Sequence, residues 1–241
     1  MRLEPPVPVS REEYTLNVRD VEPLLQGYPM EMKPWPPATI RLRSGEELYI
    51  REAKVEEAKT LLQYVRKVMD VEHDFYDIVG ARVYAEILGW YRKRIKDPYV
   101  MLGMIEGKLA GIANGRLMNE NVNISHHTMT FDRGGRLGAA LFYCKAYYAF
   151  EILGQKEFWS TYESYNGWRI GFLGMAQMSY PWPDVQHELG GARVYYVTKK
   201  YWDQAIKRYA EELVGSALNF NVPKKVIRAN EKLIVPNEVA V

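Results

Sequence analysis

The chain has 241 residues, of which 26% are charged and 47% are hydrophobic, and its formal net charge is +2. This composition is typical of a soluble globular protein, and the near-neutral charge argues against nucleic acid as the main partner, because nucleic-acid-binding domains usually carry a concentrated basic surface. The single cysteine, Cys144, excludes an intrachain disulfide and leaves too few thiols for a structural zinc site.

The first part of the chain, residues 1–46, contains eight of the thirteen prolines. Proline prevents long regular structure, so we interpret 1–46 as an extended N-terminal arm. Its apolar residues, which include Tyr14 and Trp35, predict that the arm packs on its own domain or on a partner subunit, because disordered segments contain fewer aromatic residues.

A regular pattern begins at Glu47. Residues 48–50 are apolar and predict a short strand, and apolar residues at helical spacing from Val55 to Met69 predict an amphipathic helix. A second helix is predicted after His73 and Asp74 and ends at Lys96, because the following Asp97-Pro98 pair stops it.

Three strands then form a predicted meander. The apolar runs 99–105 and 109–118 are joined by three residues, which forces an antiparallel hairpin, and a third strand covers 122–131. A long apolar helix is predicted from Leu137 to Leu153, and the strands on its two sides are expected to run parallel.

The last elements alternate between strand and helix. A strand is predicted around Phe158 to Tyr162, a helix over 167–178, a strand over 192–198 and a helix over 202–214. We expect one domain over 47–214 with a mixed sheet, of the α+β class, and a second extended arm over 215–241.

The junction between the third meander strand and the long helix is rich in glycine. Gly134, Gly135 and Gly138 remove side chains from the turn, so that consecutive backbone N–H groups can converge on an anion at the start of the helix. Arg133 and Arg136 flank this turn and are suited to pairing with phosphate oxygens. The alternative is an ordinary strand-to-helix turn whose glycines only satisfy the backbone geometry.

The segment Arg133-Gly134-Gly135-Arg136-Leu137-Gly138 resembles the acetyl-coenzyme A motif of the GNAT (Gcn5-related N-acetyltransferase) superfamily, with Arg136 where glycine is usual. Three further stretches match in the same order: 49–58 resembles the opening strand and helix, 100–118 the following hairpin, and Asn166 the asparagine after the fifth strand. The resemblance covers roughly residues 47–200.

The resemblance implies a splayed mixed sheet flanked by helices, into which the pantetheine arm of acetyl-CoA or another acyl-CoA co-substrate inserts. The residues that it assigns to cofactor binding are Thr128, Met129, Thr130, Arg133, Gly134, Gly135, Arg136, Leu137, Gly138, Ala139 and Asn166.

Acyl transfer to an amine needs a base and an acid. His126 and His127 lie on the strand that the resemblance places beside the thioester, and one of them is the candidate base or a packed histidine. Adjacent strand residues point to opposite faces, which also disfavours joint metal binding, so no metal site is expected. The tyrosine usual in the family is replaced by Leu173. Tyr162 and Tyr165 are the candidates for a substitute acid, and Glu163 is a further base candidate.

These observations favour an acyl-CoA-dependent N-acyltransferase, with N-acetyl transfer to a primary amine of a small molecule or amino acid as the first hypothesis. The alternatives are an N-acyl amino acid synthase that uses a long-chain acyl carrier protein donor, and a non-catalytic module that binds acyl-CoA. The absence of the usual acid supports the last.

The arms suggest a homodimer, because apolar groups on irregular segments are often ordered by docking onto a second copy. The chain contains no apolar stretch of the length that a spanning helix needs, and its proline-rich N-terminus does not resemble a signal peptide. We therefore expect a cytoplasmic protein without a membrane partner.

Overall fold

The computed structural model describes residues 29–131, 135–162, 176–177 and 194–239, together with Arg19. Within these residues, eight strands form one sheet. They are β1 (Ala38–Arg41), β2 (Glu47–Glu52), β3 (Pro98–Ile105), β4 (Lys108–Leu117), β5 (Val122–Thr130), β6 (Glu157–Thr161), β7 (Ala176–Gln177) and β8 (Val194–Thr198).

The helices follow the same chain order. They are α1 (Ala58–Val68), α2 (Tyr76–Tyr91), α3 (Leu137–Tyr147), α4 (Lys199–Tyr201), α5 (Lys207–Val214) and α6 (Lys224–Ala229). A 3-10 turn (Val55–Glu57) precedes α1, and π-helical turns follow α3 (Tyr148–Ile152) and α4 (Trp202–Ile206).

The sheet is mixed, with strand order β1-β2-β3-β4-β5-β6-β8-β7. Strands β1 to β5 form an antiparallel meander, as predicted for β3 to β5. Strand β6 runs parallel to β5, which confirms the crossover expected through α3. Strands β8 and β7 complete the sheet in antiparallel pairs.

Each face of the sheet carries its own apolar core. Tyr99 and Met101 belong to the core beneath α3 and the π-turn that follows it, whereas Val100 and Leu102 belong to the core beneath α1 and α2. Successive residues of a strand point to opposite faces, so the continuous apolar run of β3 indicates a strand covered by helices on both sides.

Helix α2 ends five residues before the predicted Lys96. Lys93 adopts a positive φ of 56°, and the N–H of Arg94 donates to the carbonyl of Gly89 over 2.7 Å. This is a Schellman ending in which lysine occupies the position that glycine usually takes. The prediction was wrong because no glycine marks this end in the sequence.

The predicted helix over 167–178 is wrong at Ala176–Gln177. These two residues form β7 and pair with Tyr196 and Tyr195 of β8. A strand of two residues is too short to show an alternating pattern of apolar and polar residues. It forms because it pairs with β8, and this tertiary contact is not visible in the local sequence. Residues 167–175 and 178 lie outside the described ranges.

Both arms contact their own chain. Trp35 is buried beneath the π-turn that follows α3, and β1, which lies within the predicted N-terminal arm, pairs with β2. In the C-terminal arm, Leu233, Val235 and Val239 pack against the core beneath α1. Among the helices of the described ranges, none has the length and apolar character that a membrane span requires.

Candidate functional site

Strand β5 contains a bulge at its centre. Ala113 pairs with Thr128 and Gly115 pairs with Ser125, so that Asn114 of β4 lies opposite both His126 and His127. Two residues opposite one define a β-bulge, which interrupts the alternation of side chains along the strand. The expectation that the two histidines point to opposite faces is therefore wrong.

Both imidazole rings lie beside Glu86 of α2. His127 Nδ1 is 2.7 Å from Glu86 Oε1, and His126 Nδ1 is 3.9 Å from the same oxygen. The second carboxylate oxygen, Oε2, accepts a 2.7 Å hydrogen bond from the Asn114 amide. Asn114 Oδ1 also accepts a hydrogen bond from the backbone N–H of His127, with 3.2 Å between the nitrogen and the oxygen. The carboxylate and the bulge are thus held by one side chain.

The Glu86 carboxylate remains ionised although it lies between α2 and the sheet. Its side chain is 16% exposed, and burial alone would raise its pKa. The neighbouring His127 and the hydrogen bonds from His127 and Asn114 outweigh this effect and hold the pKa of Glu86 below its usual value. Glu86 was missed at the sequence level, since one glutamate on an amphipathic helix gives no signal.

His126 differs from His127 in its environment. Burial lowers the pKa of His126 to about 4, and the opposing attraction of Glu86 is too weak to restore it. His126 is therefore neutral at pH 7. The structure thus distinguishes the two candidate bases: His127 makes the short contact with the carboxylate, and His126 lies more than 1 Å farther from it.

The described pairing between β5 and β6 ends next to the bulge. The parallel pairing of β5 with β6 extends from Val122 and Glu157 to Ser125 and Ser160. Strand β5 continues to Thr130, so the described part of β6 offers no ladder partner to residues 126–130. A backbone edge of this kind can form hydrogen bonds with an extended ligand.

Thr130 and Met129 point to opposite faces of the sheet: Thr130 lies near Gly138 of α3, and Met129 lies on the α1 and α2 face. Thr128 Oγ1 is buried and finds no hydrogen-bond partner among the described residues, and Thr130 is half-buried. Met129 is buried in the core beneath α1 and α2, so only its backbone is available to a ligand.

The start of α3 combines two left-handed residues with an open glycine. Gly135 and Arg136 have φ values of 56° and 63°. The left-handed conformation of Arg136 explains why glycine is usual at this position of the motif. Its guanidinium donates to the carbonyl of Leu213 at the end of α5, over 3.0 Å, rather than only flanking the turn.

Gly138 lies in the first turn of α3 and is not required by the packing of the protein. Among the described residues, a Cβ atom there would meet only Thr130 Cγ2, at 3.7 Å, which is an ordinary contact. The missing side chain leaves space between the end of β5 and the helix N-terminus, where backbone N–H groups favour anions. Leu137 and Ala139 are buried in the core beneath α3, so only their backbone can contribute to this space.

Several predicted site residues lie outside the described ranges. They are Arg133, Gly134, Glu163, Tyr165 and Asn166. The described residues do not bring together three His, Cys, Asp or Glu side chains in the arrangement that a metal ion needs. Cys144 is buried, and burial raises the pKa of its thiol, so the thiolate is disfavoured.

Comparisons with known proteins support the fold. No protein-family model and no curated protein sequence matches the chain. Among solved structures, an uncharacterised protein from Bacillus halodurans is 11% identical, with 75% of this chain and all of that chain covered and a TM-score of 0.54. The apo form of FdhC, a nucleotide-linked sugar GNAT, is 12% identical, with 76% and 100% covered and a TM-score of 0.50.

This chain has the GNAT fold. The resemblance stated for residues 47–200 is thereby confirmed for the mixed sheet and its flanking helices. In the GNAT fold of this chain, β2 corresponds to the opening strand of the resemblance, and β1 lies at the sheet edge before it. The resemblance assigns the acyl-CoA to the part of β5 beyond its described pairing with β6 and to the start of α3.

Proposed function

We propose that this protein is an acyl-CoA-dependent N-acyltransferase that moves an acyl group, most simply acetyl, from a coenzyme A thioester to a primary amine of a small molecule or amino acid. The observation that carries the proposal is the 2.7 Å contact between His127 and Glu86, just beyond the last described pair of β5 with β6. It supplies a histidine base, oriented by a carboxylate, on the strand where the GNAT resemblance expects the thioester.

The residues present fit an acyl-CoA. The backbone of residues 128–130 would bind the pantetheine arm, the buried Thr128 Oγ1 would gain a partner, and the open space at Gly138 would accept the pyrophosphate at the start of α3. When bound, the thioester supplies an activated acyl group. Arg133, Gly134 and Asn166 remain predicted contacts.

The chemistry of His127 follows from its two ring nitrogens. Nδ1–H donates to the Glu86 carboxylate, which favours the tautomer with a lone pair on Nε2. Nε2 can then accept the proton of an ammonium acceptor and leave a neutral amine, and the nearby carboxylate stabilises the resulting imidazolium. Tyr165 is retained as the predicted acid, and Glu163 and His126 as the other predicted catalytic candidates.

The test compares two neighbouring substitutions, His127→Gln and His126→Gln. Free thiol released from acetyl-CoA is measured with a panel of amines and amino acids. We expect His127→Gln to lower kcat by about 10² to 10⁴, the usual contribution of a general base, and His126→Gln to lower it by less than about tenfold. Equal activity of wild type and His127→Gln would contradict the assignment of the base.

The donor is tested in the same assay. Turnover with acetyl-CoA and any amine supports the proposal. Turnover with long-chain acyl carrier protein alone would instead indicate the N-acyl amino acid synthase, and tight binding of acyl-CoA without turnover would indicate a binding module.

The homodimer stays a prediction. The apolar residues of the C-terminal arm that suggested it, such as Leu233 and Val235, pack on their own chain. Light scattering coupled to size-exclusion chromatography of the full chain measures the mass directly, and a monomer at micromolar concentration would contradict the prediction.

A further inference from the structure

Lys145 is a fully buried lysine in the last turn of α3. It is 1% exposed and is the one charged residue among the eight buried residues of this helix. Leu141 and Tyr148, four residues before it and three residues after it on the same helical face, are both buried hydrophobic residues. Burying an ammonium group among them costs free energy, and burial lowers the pKa of Lys145 to about 7.

The ammonium group contacts the bulge from the α3 face of the sheet. Lys145 Nζ donates to the carbonyl oxygen of His127 at 3.0 Å and to that of Asn114 at 3.3 Å. These two residues lie on opposite strands at the position where the bulge breaks the ladder. In a regular ladder, these two carbonyl groups would accept hydrogen bonds from backbone N–H groups. Here they accept them from the Lys145 side chain instead.

The backbone of His127 is consequently held at both ends. Its N–H is bound by the Asn114 side chain, its carbonyl is bound by Lys145, and its ring is bound by Glu86 from the opposite face. A methionine of similar length would fill the space of Lys145 at lower electrostatic cost, since replacing buried charges by apolar residues is often neutral or stabilising. Because an apolar side chain would avoid this electrostatic cost, we infer that Lys145 has a role that requires its hydrogen-bond donor.

We propose that Lys145 is a positioning residue that clamps the β5 bulge and thereby aims the His127 imidazole at Glu86. Its effect on catalysis rests on the proposed function, whereas its effect on the His127 ring does not. Lys145 acts through His127 and does not itself react.

The experiment uses Lys145→Met, which removes the donor, and Lys145→Gln, which keeps an N–H donor without the charge. Lys67→Met is the control, because Lys67 also donates to a backbone carbonyl, that of Asn237, but on the exposed surface of α1. The ring nitrogens of His127 are observed by ¹⁵N NMR of the full chain, and kcat and KM for acetyl-CoA are measured with the best amine.

We expect Lys145→Met to lose the Nδ1–H signature of the His127–Glu86 bond and to lower kcat about 10²-fold, with KM for acetyl-CoA within about twofold of wild type, because misplacing a catalytic group by about 1 Å costs that much. Lys145→Gln should recover most of the signature and of kcat, and Lys67→Met should change neither. A folded Lys145→Met protein with the wild-type signature would overturn the proposal.

Two further outcomes are distinguished. If the wild type transfers no acyl group to any amine, the proposed function fails, and the NMR signature still decides the role of Lys145. If Lys145→Met does not fold, nuclear Overhauser contacts between the Lys145 ε-protons and the His127 backbone are measured in the wild type, and their absence overturns the proposal.

Discussion

The middle of β5 is shaped by residues that lie far away along the chain, whereas its C-terminal end and the start of α3 carry a sequence motif of adjacent residues. At the bulge, His127 is bound by residues 13, 18 and 41 positions away, which are Asn114, Lys145 and Glu86. At the start of α3, the turn depends on the left-handed conformations of Gly135 and Arg136 and on the open space at Gly138.

The two regions of β5 are suited to two different tasks: the turn into α3 to binding an anion, and the bulge to positioning the catalytic groups. The turn into α3 needs only small residues and a helix N-terminus to receive an anion, and both are local properties. The bulge must hold two polar rings and a carboxylate away from water, which requires partners on two strands and two helices. Substitutions at the bulge are therefore expected to affect turnover, and those at the turn to affect binding.

Glu86→Gln is expected to have the largest effect. Glutamine keeps an oxygen that can accept from His127 Nδ1–H but removes the negative charge that stabilises the imidazolium. We expect kcat to fall about 10² to 10⁴-fold, which corresponds to about 3 to 5 kcal/mol, with KM for acetyl-CoA changed much less. A steady-state assay on wild type and variant measures this, and an unchanged kcat would show that the carboxylate is not coupled to the reaction.

Gly138→Asp is expected to act on binding at the other end of the strand. The carboxylate would occupy the open space beside Thr130 and repel a phosphate, so we expect the Kd for CoA to rise at least about 10²-fold, or about 3 kcal/mol. Isothermal titration measures the Kd. Equal Kd values in wild type and in a folded Gly138→Asp protein would place the phosphate site elsewhere.

Gly138→Ala is the matched control for this prediction. Within the part of the chain that the structure describes, its Cβ meets only Thr130 Cγ2, at 3.7 Å, so we expect the fold to tolerate it. Alanine is the better helix former, and we expect the free energy of unfolding to rise by about 0.5 to 1 kcal/mol. A loss of stability in urea unfolding would mean that the space at Gly138 is needed by the protein itself.

His126→Gln is expected to act on a third property, the pH dependence of stability, with a small effect on turnover. The pKa of His126 is about 4 in the folded chain and 6.5 when unperturbed, so between these values the unfolded chain binds the proton more tightly. Acidification from pH 6.5 to 4 therefore destabilises the wild type, and we expect the variant to lose up to about 3 kcal/mol less.

Urea unfolding at pH 7.5 and 4.5 measures that difference. His73→Gln is the control, because it makes the same substitution at an exposed histidine. An identical loss of stability in wild type and His126→Gln would show that His126 is not buried in its neutral form.

Periodicity predicted most of the fold, and its failures have a common cause. The strands at 98–105 and 108–117 and the helix at 58–68 were predicted within one or two residues at most ends, because each buries a regular pattern of side chains. The end of α2 at Tyr91 and the strand at Ala176–Gln177 were missed. Lys93 takes a conformation normally marked by glycine, and β7 depends on its pairing with β8.

By itself, the sequence determined the order of the strands and helices from β2 to β6, the glycine-rich turn before α3 and the presence of two histidines on β5. These follow from local spacing and from the conformations that glycine and proline allow. Only the tertiary structure decided that both histidines face Glu86, that His127 makes the short contact, and that Lys145 and Asn114 hold the bulge. A bulge shifts every later side chain relative to the partner strand, and its partners lie on other elements, so neither can be read from the spacing of residues along β5.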